Sequence, residues 1–194
     1  MTGPQLCGGC ATARVEEPLT ATYGGNEIDD QFEFWHQLAQ RPLTSNDEAF
    51  HGLLLYALDA DPADNYHARV AALKSRGWLP ARFDRPAHAV ARRGELAVAI
   101  AQILRIRGGL MMRLTRGRHP RYALLELEEE GIYPASSENQ TFSGSEFLGI
   151  IGRMEDYRRG NQTDLPAAVL EPARTAGSEA PRPAAPQVQQ TPAN

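Results

Sequence analysis

A helix–loop–helix unit occurs twice in this chain and constrains its fold more than any other sequence feature. The first copy, residues 66–104, reads as a helix, a glycine turn, a proline-containing loop and a second helix. The second copy, residues 122–157, aligns with the first when Gly77 is matched to Gly131. Both copies carry apolar residues at helical spacing. Because one helix pair cannot bury its own apolar faces, we expect the copies to pack against one another.

A degenerate earlier copy spans residues 29–58. It contains an aromatic helix, a proline, and then Ser45 and Glu48 at the start of a second helix. The glutamates that open the second helix of each unit, Glu48, Glu95 and Glu146, lie 47 and 51 residues apart, within the range of helical repeat periods. The sequence therefore predicts an all-α fold built from two to three helix–loop–helix repeats.

The composition divides the chain into one domain and two tails. Residues 1–26 lack apolar periodicity and are predicted to be a disordered tether. Residues 161–194 contain six prolines and eight alanines and few bulky apolar side chains, which predicts a disordered tail. The predicted folded domain is therefore residues 27–160.

The overall charge and hydrophobicity argue against general nucleic-acid affinity and against a membrane-spanning segment. A net charge of −4 and a pI near 5.7 argue against general affinity for nucleic acid. The longest strongly apolar run, Leu53 to Leu58, is too short to span a bilayer. Membrane association is therefore expected only through a lipid anchor.

The cysteine pair Cys7 and Cys10 leaves three interpretations open. Gly8-Gly9-Cys10-Ala11 resembles the end of a bacterial lipobox, which would make Cys10 the lipidated residue, although no charged and apolar leader precedes it. The spacing also matches a redox or metal-binding pair, but no second ligand pair and no βαβ pattern accompany it. The third interpretation is an unstructured terminus with incidental cysteines.

One strongly cationic segment, residues 105–121, stands out in this acidic chain because it holds six arginines. Apolar residues alternate between positions 110 and 114, which predicts a short strand or β-hairpin between the repeats. Guanidinium groups such as those of Arg113 and Arg116 fit phosphate or carboxylate groups and are candidate ligand contacts. The alternative is a solvated loop whose arginines pair with the glutamates at positions 126 to 130.

Helix capping explains part of the repeated sequence without any ligand. Ser45 with Glu48, and Ser143 with Glu146, have the spacing of a capping box, in which a hydroxyl and a carboxylate satisfy backbone N–H groups at a helix start. In the middle unit an arginine replaces the hydroxyl. We nevertheless predict that Glu95 caps its helix as the other two glutamates do.

The unit resembles the S-layer homology module. That family combines a helix, a glycine turn, a loop with an F-x-P-like segment, and the signature I-T-R-A-E before a second helix. The resemblance lies in the turns Gly77-Trp78-Leu79 and Gly131-Ile132-Tyr133, the loop Phe83-Asp84-Arg85-Pro86, and signature positions 43–48, 91–95 and 142–146. It implies that the units pack into a small pseudo-threefold bundle.

The resemblance also implies where a ligand would bind. Family members that bind anionic cell-wall polymer use grooves between units, with an arginine that follows the signature hydroxyl. In this chain those positions hold Asn46, Arg93 and Gly144, so only the middle unit keeps the arginine. The implied binding groove lies around Arg93, with Arg92 and Trp78 beside it.

No enzyme motif accompanies these features. The five histidines are scattered, and neither a nucleophile elbow nor a phosphate-binding glycine loop is present. We therefore expect a non-enzymatic binding or scaffolding module of the cell envelope, without cofactor or metal, whose partner is an anionic wall polymer or an envelope protein. The alternative is a cytoplasmic interaction domain that docks an acidic partner through residues 105–121.

Overall fold

A computed structural model describes residues 13–163 of the chain, and within that range all regular secondary structure is helical. The prediction of an all-α fold is confirmed. The helices are α1 (Thr20–Tyr23), α2 (Ile28–Ala39), α3 (Asn46–Leu58), α4 (Tyr66–Ser75), α5 (Arg93–Ile103), α6 (Leu110–Leu114), α7 (Pro120–Glu129) and α8 (Gly144–Thr163). No helix in residues 13–163 is long and apolar enough to cross a bilayer.

A single hydrophobic core lies between the long helices. α5 packs along α7, α3 packs against α4, and α2 packs against α8. Leu96 on α5 and Phe147 on α8 are both completely buried, as the helical spacing of the two repeats requires. The largest fully buried side chains are Phe34, Phe50, Phe142, Phe147, Leu38, Leu53, Leu54, Leu73, Leu96, Ile100, Leu127 and Ile132.

The glycine turns after α4 and α7 have the same geometry. Gly77 and Gly131 adopt left-handed backbone with φ of 73° and 71°, and neither has an atom within 4 Å of where a Cβ would lie. In each turn the two residues after the glycine donate backbone N–H groups to the carbonyl four residues before it, Leu73 or Leu127. Glycine is favoured because other residues pay a steric cost in this conformation.

Extended backbone just before α3, α5 and α8 brings the starts of these three helices together. The Thr44 N–H donates to the Phe142 carbonyl at 3.0 Å, and the Ala91 N–H donates to the Thr44 carbonyl at 2.9 Å. An antiparallel bridge joins Arg92 to Thr141. Each of the three segments therefore contacts the other two through its backbone.

The first and last helix pairs meet closely at Gly144. The Gly144 N–H donates to the Arg41 carbonyl at 2.9 Å. A Cβ at position 144 would collide with the carbonyl oxygen of Leu38 at the end of α2. Glycine is therefore needed here for close approach of two backbones.

The prediction of a disordered tether through residue 26 is wrong for residues 13–26. Val15 and Leu19 are each only 7% exposed. The Val15 N–H donates to the His88 carbonyl at 2.8 Å, and the Leu19 N–H donates to the Glu48 carboxylate at 3.0 Å. A few well-placed apolar side chains and backbone pairing order this segment, and neither produces a periodic sequence pattern.

The predicted strand or hairpin between the repeats is also wrong, because residues 110–114 form helix α6. The alternation that indicated a strand equally places Leu110 and Leu114 one helical turn apart. Among the side chains of α6 that the structure describes, Met112 alone turns inward, where it is 2% exposed. Helix α8 ends at Thr163, three residues beyond the predicted limit of the domain.

Candidate ligand-binding cleft between the second and third helix pairs

A cleft of about 390 Å³ lies between the loop after the first glycine turn, α5 and the start of α7. Its walls combine apolar and charged side chains, from Pro80, Arg82, Phe83, Asp84, Arg85, Pro86, Glu95, Val98, Arg118 and Pro120. An adjoining depression of about 290 Å³ shares Arg85, Glu95 and Pro120 and adds Arg92, His119, Glu138 and Asn139. Because the two depressions share these three residues, we call them together the cleft.

Glu95 forms an ion pair with Arg85 in the cleft instead of capping a helix. Its Oε1 accepts from the Arg85 Nε, while its Oε2 is buried and has no hydrogen-bond partner among residues 13–163. The N-cap of α5 is Arg92, whose side chain makes no capping bond. The predicted capping role of Glu95 is therefore wrong, because the middle unit lacks the hydroxyl that would complete the box.

Three arginines of the cleft, Arg82, Arg92 and Arg118, form no ion pair within the described part of the chain. Arg92 is half-buried, and its only side-chain hydrogen bond reaches the Asn139 side chain at 3.4 Å. Arg82 and Arg118 are exposed. The lining of the cleft also includes Asp84 and Glu138, which form no ion pair within residues 13–163, so four arginines against three acids leave it a net charge of +1 with His119 neutral. Guanidinium groups suit carboxylate or phosphate groups.

Arg93, the central residue of the expected binding groove, instead connects two helix pairs. It is 5% exposed, its Nη2 lies 2.8 Å from the Glu146 carboxylate, and its Nε donates to the Thr141 carbonyl at 3.2 Å. Its guanidinium also lies over the Phe142 ring, 5.0 Å from the centroid. These contacts occupy the guanidinium, and Arg93 does not line the cleft.

The remaining predicted ligand residues are not brought together. Trp78 is half-buried, with the Arg76 guanidinium 5.8 Å from its ring centroid, and it does not line the cleft. Arg116 is exposed beyond the end of α6, and Arg113 lies in α6 with its side chain outside the described part. Of the four predicted ligand residues whose side chains the structure describes, Arg92 alone lines the cleft.

Two capping boxes hold the starts of α3 and α8. In each, the serine hydroxyl accepts the glutamate N–H at 3.2 Å and the glutamate carboxylate accepts the serine N–H at 2.8 Å, for Ser45 with Glu48 and for Ser143 with Glu146. The hydrogen bond from the Ser143 backbone, aided by Arg93, holds the pKa of Glu146 below its usual range. Glu146 therefore stabilises its own helix and also binds the preceding unit.

A buried ionic network near α1 carries no sequence signature. The Arg69 guanidinium lies 2.7 Å from Asp47 and 2.5 Å from Asp61, and the His51 Nδ1 lies 2.6 Å from the same Asp61 oxygen. None of these four residues is more than 6% exposed. The network connects α3, α4 and the loop between them, a structural role. The only sequence hint was that Asp47 and His51 lie four residues apart on one helix.

Burial and pairing oppose each other in this network. Burial raises the pKa of Asp61, but hydrogen bonds from His51 and Arg69 outweigh it and hold the pKa below its usual range. Burial lowers the pKa of Arg69, and the two aspartates more than reverse that effect. Both ionised forms are therefore favoured in the folded protein.

No group of three histidine, cysteine or acidic side chains within residues 13–163 could hold a metal ion. Cys10, the expected lipidation site, lies outside the described residues, as does the cysteine preceding it. Comparison of the chain with protein-family models, curated proteins and solved structures found no match.

Proposed function

We propose that this chain is a non-enzymatic binding or scaffolding module of the cell envelope, built from three S-layer-homology-like units in a pseudo-threefold arrangement. The units are residues 29–58, 66–104 and 122–157. Thr44, Ala91 and Phe142 each lie four residues before the glutamate of their unit. Their equivalence is supported by two backbone hydrogen bonds, from Thr44 to Phe142 and from Ala91 to Thr44. The matched turns at glycines 77 and 131 add to this support.

The ligand we propose for the cleft is an anionic wall polymer. The observation that carries this proposal is that Arg82, Arg92 and Arg118, which form no ion pair in residues 13–163, outnumber Asp84 and Glu138, the two acids that line the cleft without an ion pair. Phe83 and the neighbouring prolines supply an apolar wall against which the non-ionic part of a saccharide packs. The buried Oε2 of Glu95 accepts a hydrogen bond from a ligand hydroxyl.

Arg93 has a different role in this proposal from that of the arginine in the family signature. Because its guanidinium binds Glu146 and Thr141, Arg93 fixes the third unit against the second. It thereby sets the width of the cleft without contacting the ligand. Replacing it is expected to lower stability and polymer affinity together.

The test compares retention of purified full-length protein on isolated cell-wall polymer for the wild type and for Arg82→Gln/Arg92→Gln. A charge-assisted hydrogen bond contributes about 1.5–3 kcal/mol, so we expect the double variant to bind at least about a hundredfold more weakly. The matched control is Arg107→Gln/Arg116→Gln, which removes the same charge outside the cleft. Both variants should keep the wild-type helical circular dichroism.

Two results would overturn this function. Absence of wild-type binding to wall polymers that carry carboxylate or phosphate groups would remove the proposed ligand class. Equal loss of affinity in the cleft variant and in its control would show that binding depends on overall charge instead of on the cleft.

A further inference from the structure

A second feature, separate from the cleft, is a surface formed by α6 and the residues at its two ends. Leu110 and Leu114 are 76% and 75% exposed, and Met111 between them is 49% exposed. Leu110 and Leu114 lie side by side because they are one helical turn apart. The exposed arginines 105, 107 and 116 flank them. We call these six residues the basic apolar surface.

The backbone conformation and two contacts hold this surface in place. Left-handed residues lie on both sides of α6, Arg105 and Gly108 before it and Arg116 and Gly117 after it. The segment is anchored by buried Met112 and by the Gly109 N–H, which donates to the Glu126 carboxylate at 2.6 Å. The exposed leucines therefore lie on an anchored turn of chain.

The arginines of this surface are not neutralised by neighbouring acids. None of its three guanidinium groups forms an ion pair in the structure as described for residues 13–163. Glu126 and Glu128 of α7 accept hydrogen bonds from the backbone N–H groups of Gly109 and Ser136, and neither these nor Glu129 and Glu130 form an ion pair within residues 13–163. The surface thus combines exposed apolar side chains with available positive charge in an acidic protein.

Size and charge together favour one kind of partner. A stable protein–protein interface buries about 800 Å² on each side and involves roughly 20–30 residues, far more than three apolar side chains supply. A lipid surface needs only a few apolar side chains in the headgroup region, with cations attracted to anionic lipids. A protein partner would need acidic residues placed opposite the three arginines, whereas an anionic bilayer presents phosphate groups over its whole surface.

We propose that the basic apolar surface docks the protein on an anionic phospholipid membrane. The two leucines and Met111 enter the headgroup region, and the flanking arginines contact lipid phosphates. This contact is independent of the polymer cleft and of any lipid anchor at Cys10.

The first experiment measures co-sedimentation of the full-length protein with phosphatidylcholine vesicles that contain either no phosphatidylglycerol or about one-third phosphatidylglycerol. We expect binding to the mixed vesicles only, and its loss in about 1 M salt, where the screening length falls to about 3 Å. Arg107→Gln/Arg116→Gln should weaken binding about thirtyfold, and Leu110→Ser/Leu114→Ser at least about tenfold.

The matched control is the cleft variant Arg82→Gln/Arg92→Gln, which loses the same charge but should keep its vesicle binding within about threefold of the wild type. Leu125→Ser removes an apolar side chain that is 49% exposed on α7 and should have no effect. Each arginine variant is the test in one assay and the control in the other. Failure of the polymer proposal can therefore be distinguished from failure of the membrane proposal.

A second measurement separates insertion from purely electrostatic adsorption. Leu114→Trp places an indole on the surface, and its fluorescence should shift to the blue and be quenched by brominated lipid only with mixed vesicles. No shift, or mixed-vesicle binding unchanged by both surface variants, would overturn the proposal. Binding of polyglutamate through the same residues without vesicle binding would identify an acidic protein segment as the partner and would also overturn it.

Discussion

Replacing the two turn glycines with alanine tests whether the second and third helix pairs are equivalent. Gly77 and Gly131 share nearly the same φ and the same empty surroundings, so an added methyl group meets no atom at either site. The effect of each substitution is therefore only the cost of placing alanine in left-handed backbone, roughly 1–2 kcal/mol. The lower entropy of the unfolded alanine chain offsets about 0.4–1 kcal/mol of that cost.

We expect each substitution to lower the free energy of unfolding by about 1 kcal/mol, and the two values to agree within about 0.5 kcal/mol. The matched control is Gly152→Ala, which lies on an exposed helical face of α8 with nothing within 4 Å. Alanine at that site should raise stability by about 0.5–1 kcal/mol because it favours helix.

Urea unfolding followed by circular dichroism measures all three values, and thermal midpoints should shift by about 2–4 °C for a domain of this size. A neutral or stabilising effect of alanine at either turn would refute the left-handed geometry at that turn. Effects that differ by more than about 1 kcal/mol between the turns would refute the equivalence of the two units.

Three further predictions concern caps and the buried network. Ser45→Ala and Ser143→Ala should each lower the free energy of unfolding by about 1 kcal/mol in urea titrations, because each removes the hydroxyl of a capping box; no change would contradict the hydrogen bonds described. Arg69→Leu should cost about 3–5 kcal/mol by the same measurement, because it leaves Asp47 and Asp61 buried without their cation; a loss below about 1 kcal/mol would show that the network is dispensable. Because the pKa of Asp61 is lowered in the folded protein, its contribution to the free energy of unfolding is fully present above the usual carboxyl pKa of about 4 and is lost as the pH falls through the lower folded-state value. Asp61→Asn should therefore make the urea midpoint less sensitive to acid. An unchanged dependence of that midpoint on pH would contradict this assignment.

Features that depend on neighbours along the chain were predictable from the sequence. Helical spacing identified the buried faces of α5 and α8, and the glycine turns and the two serine–glutamate boxes lie where local rules place them. Each of these depends on residues within one or two helical turns, so a single stretch of sequence contains the whole signal.

Features set by distant contacts were not predictable. Arg93 was expected to bind a ligand, but a glutamate 53 residues further along the chain occupies its guanidinium. Glu95 was expected to cap its helix, but Arg85 binds its carboxylate. Val15 and Leu19 are ordered by pairing with chain far beyond them. Which charged groups meet is decided by the packing of helix pairs, and no local pattern encodes that packing.

The ring of backbone contacts at the starts of α3, α5 and α8 has a consequence for how the protein is synthesised. Phe142 must be available before Thr44 can complete its hydrogen bond, and α2 packs against α8 as well as against α1. A nascent chain that ends after α5 therefore lacks one of the helices against which α2 packs. The contacts between the starts of α3, α5 and α8 are complete only once the start of α8 has left the ribosome.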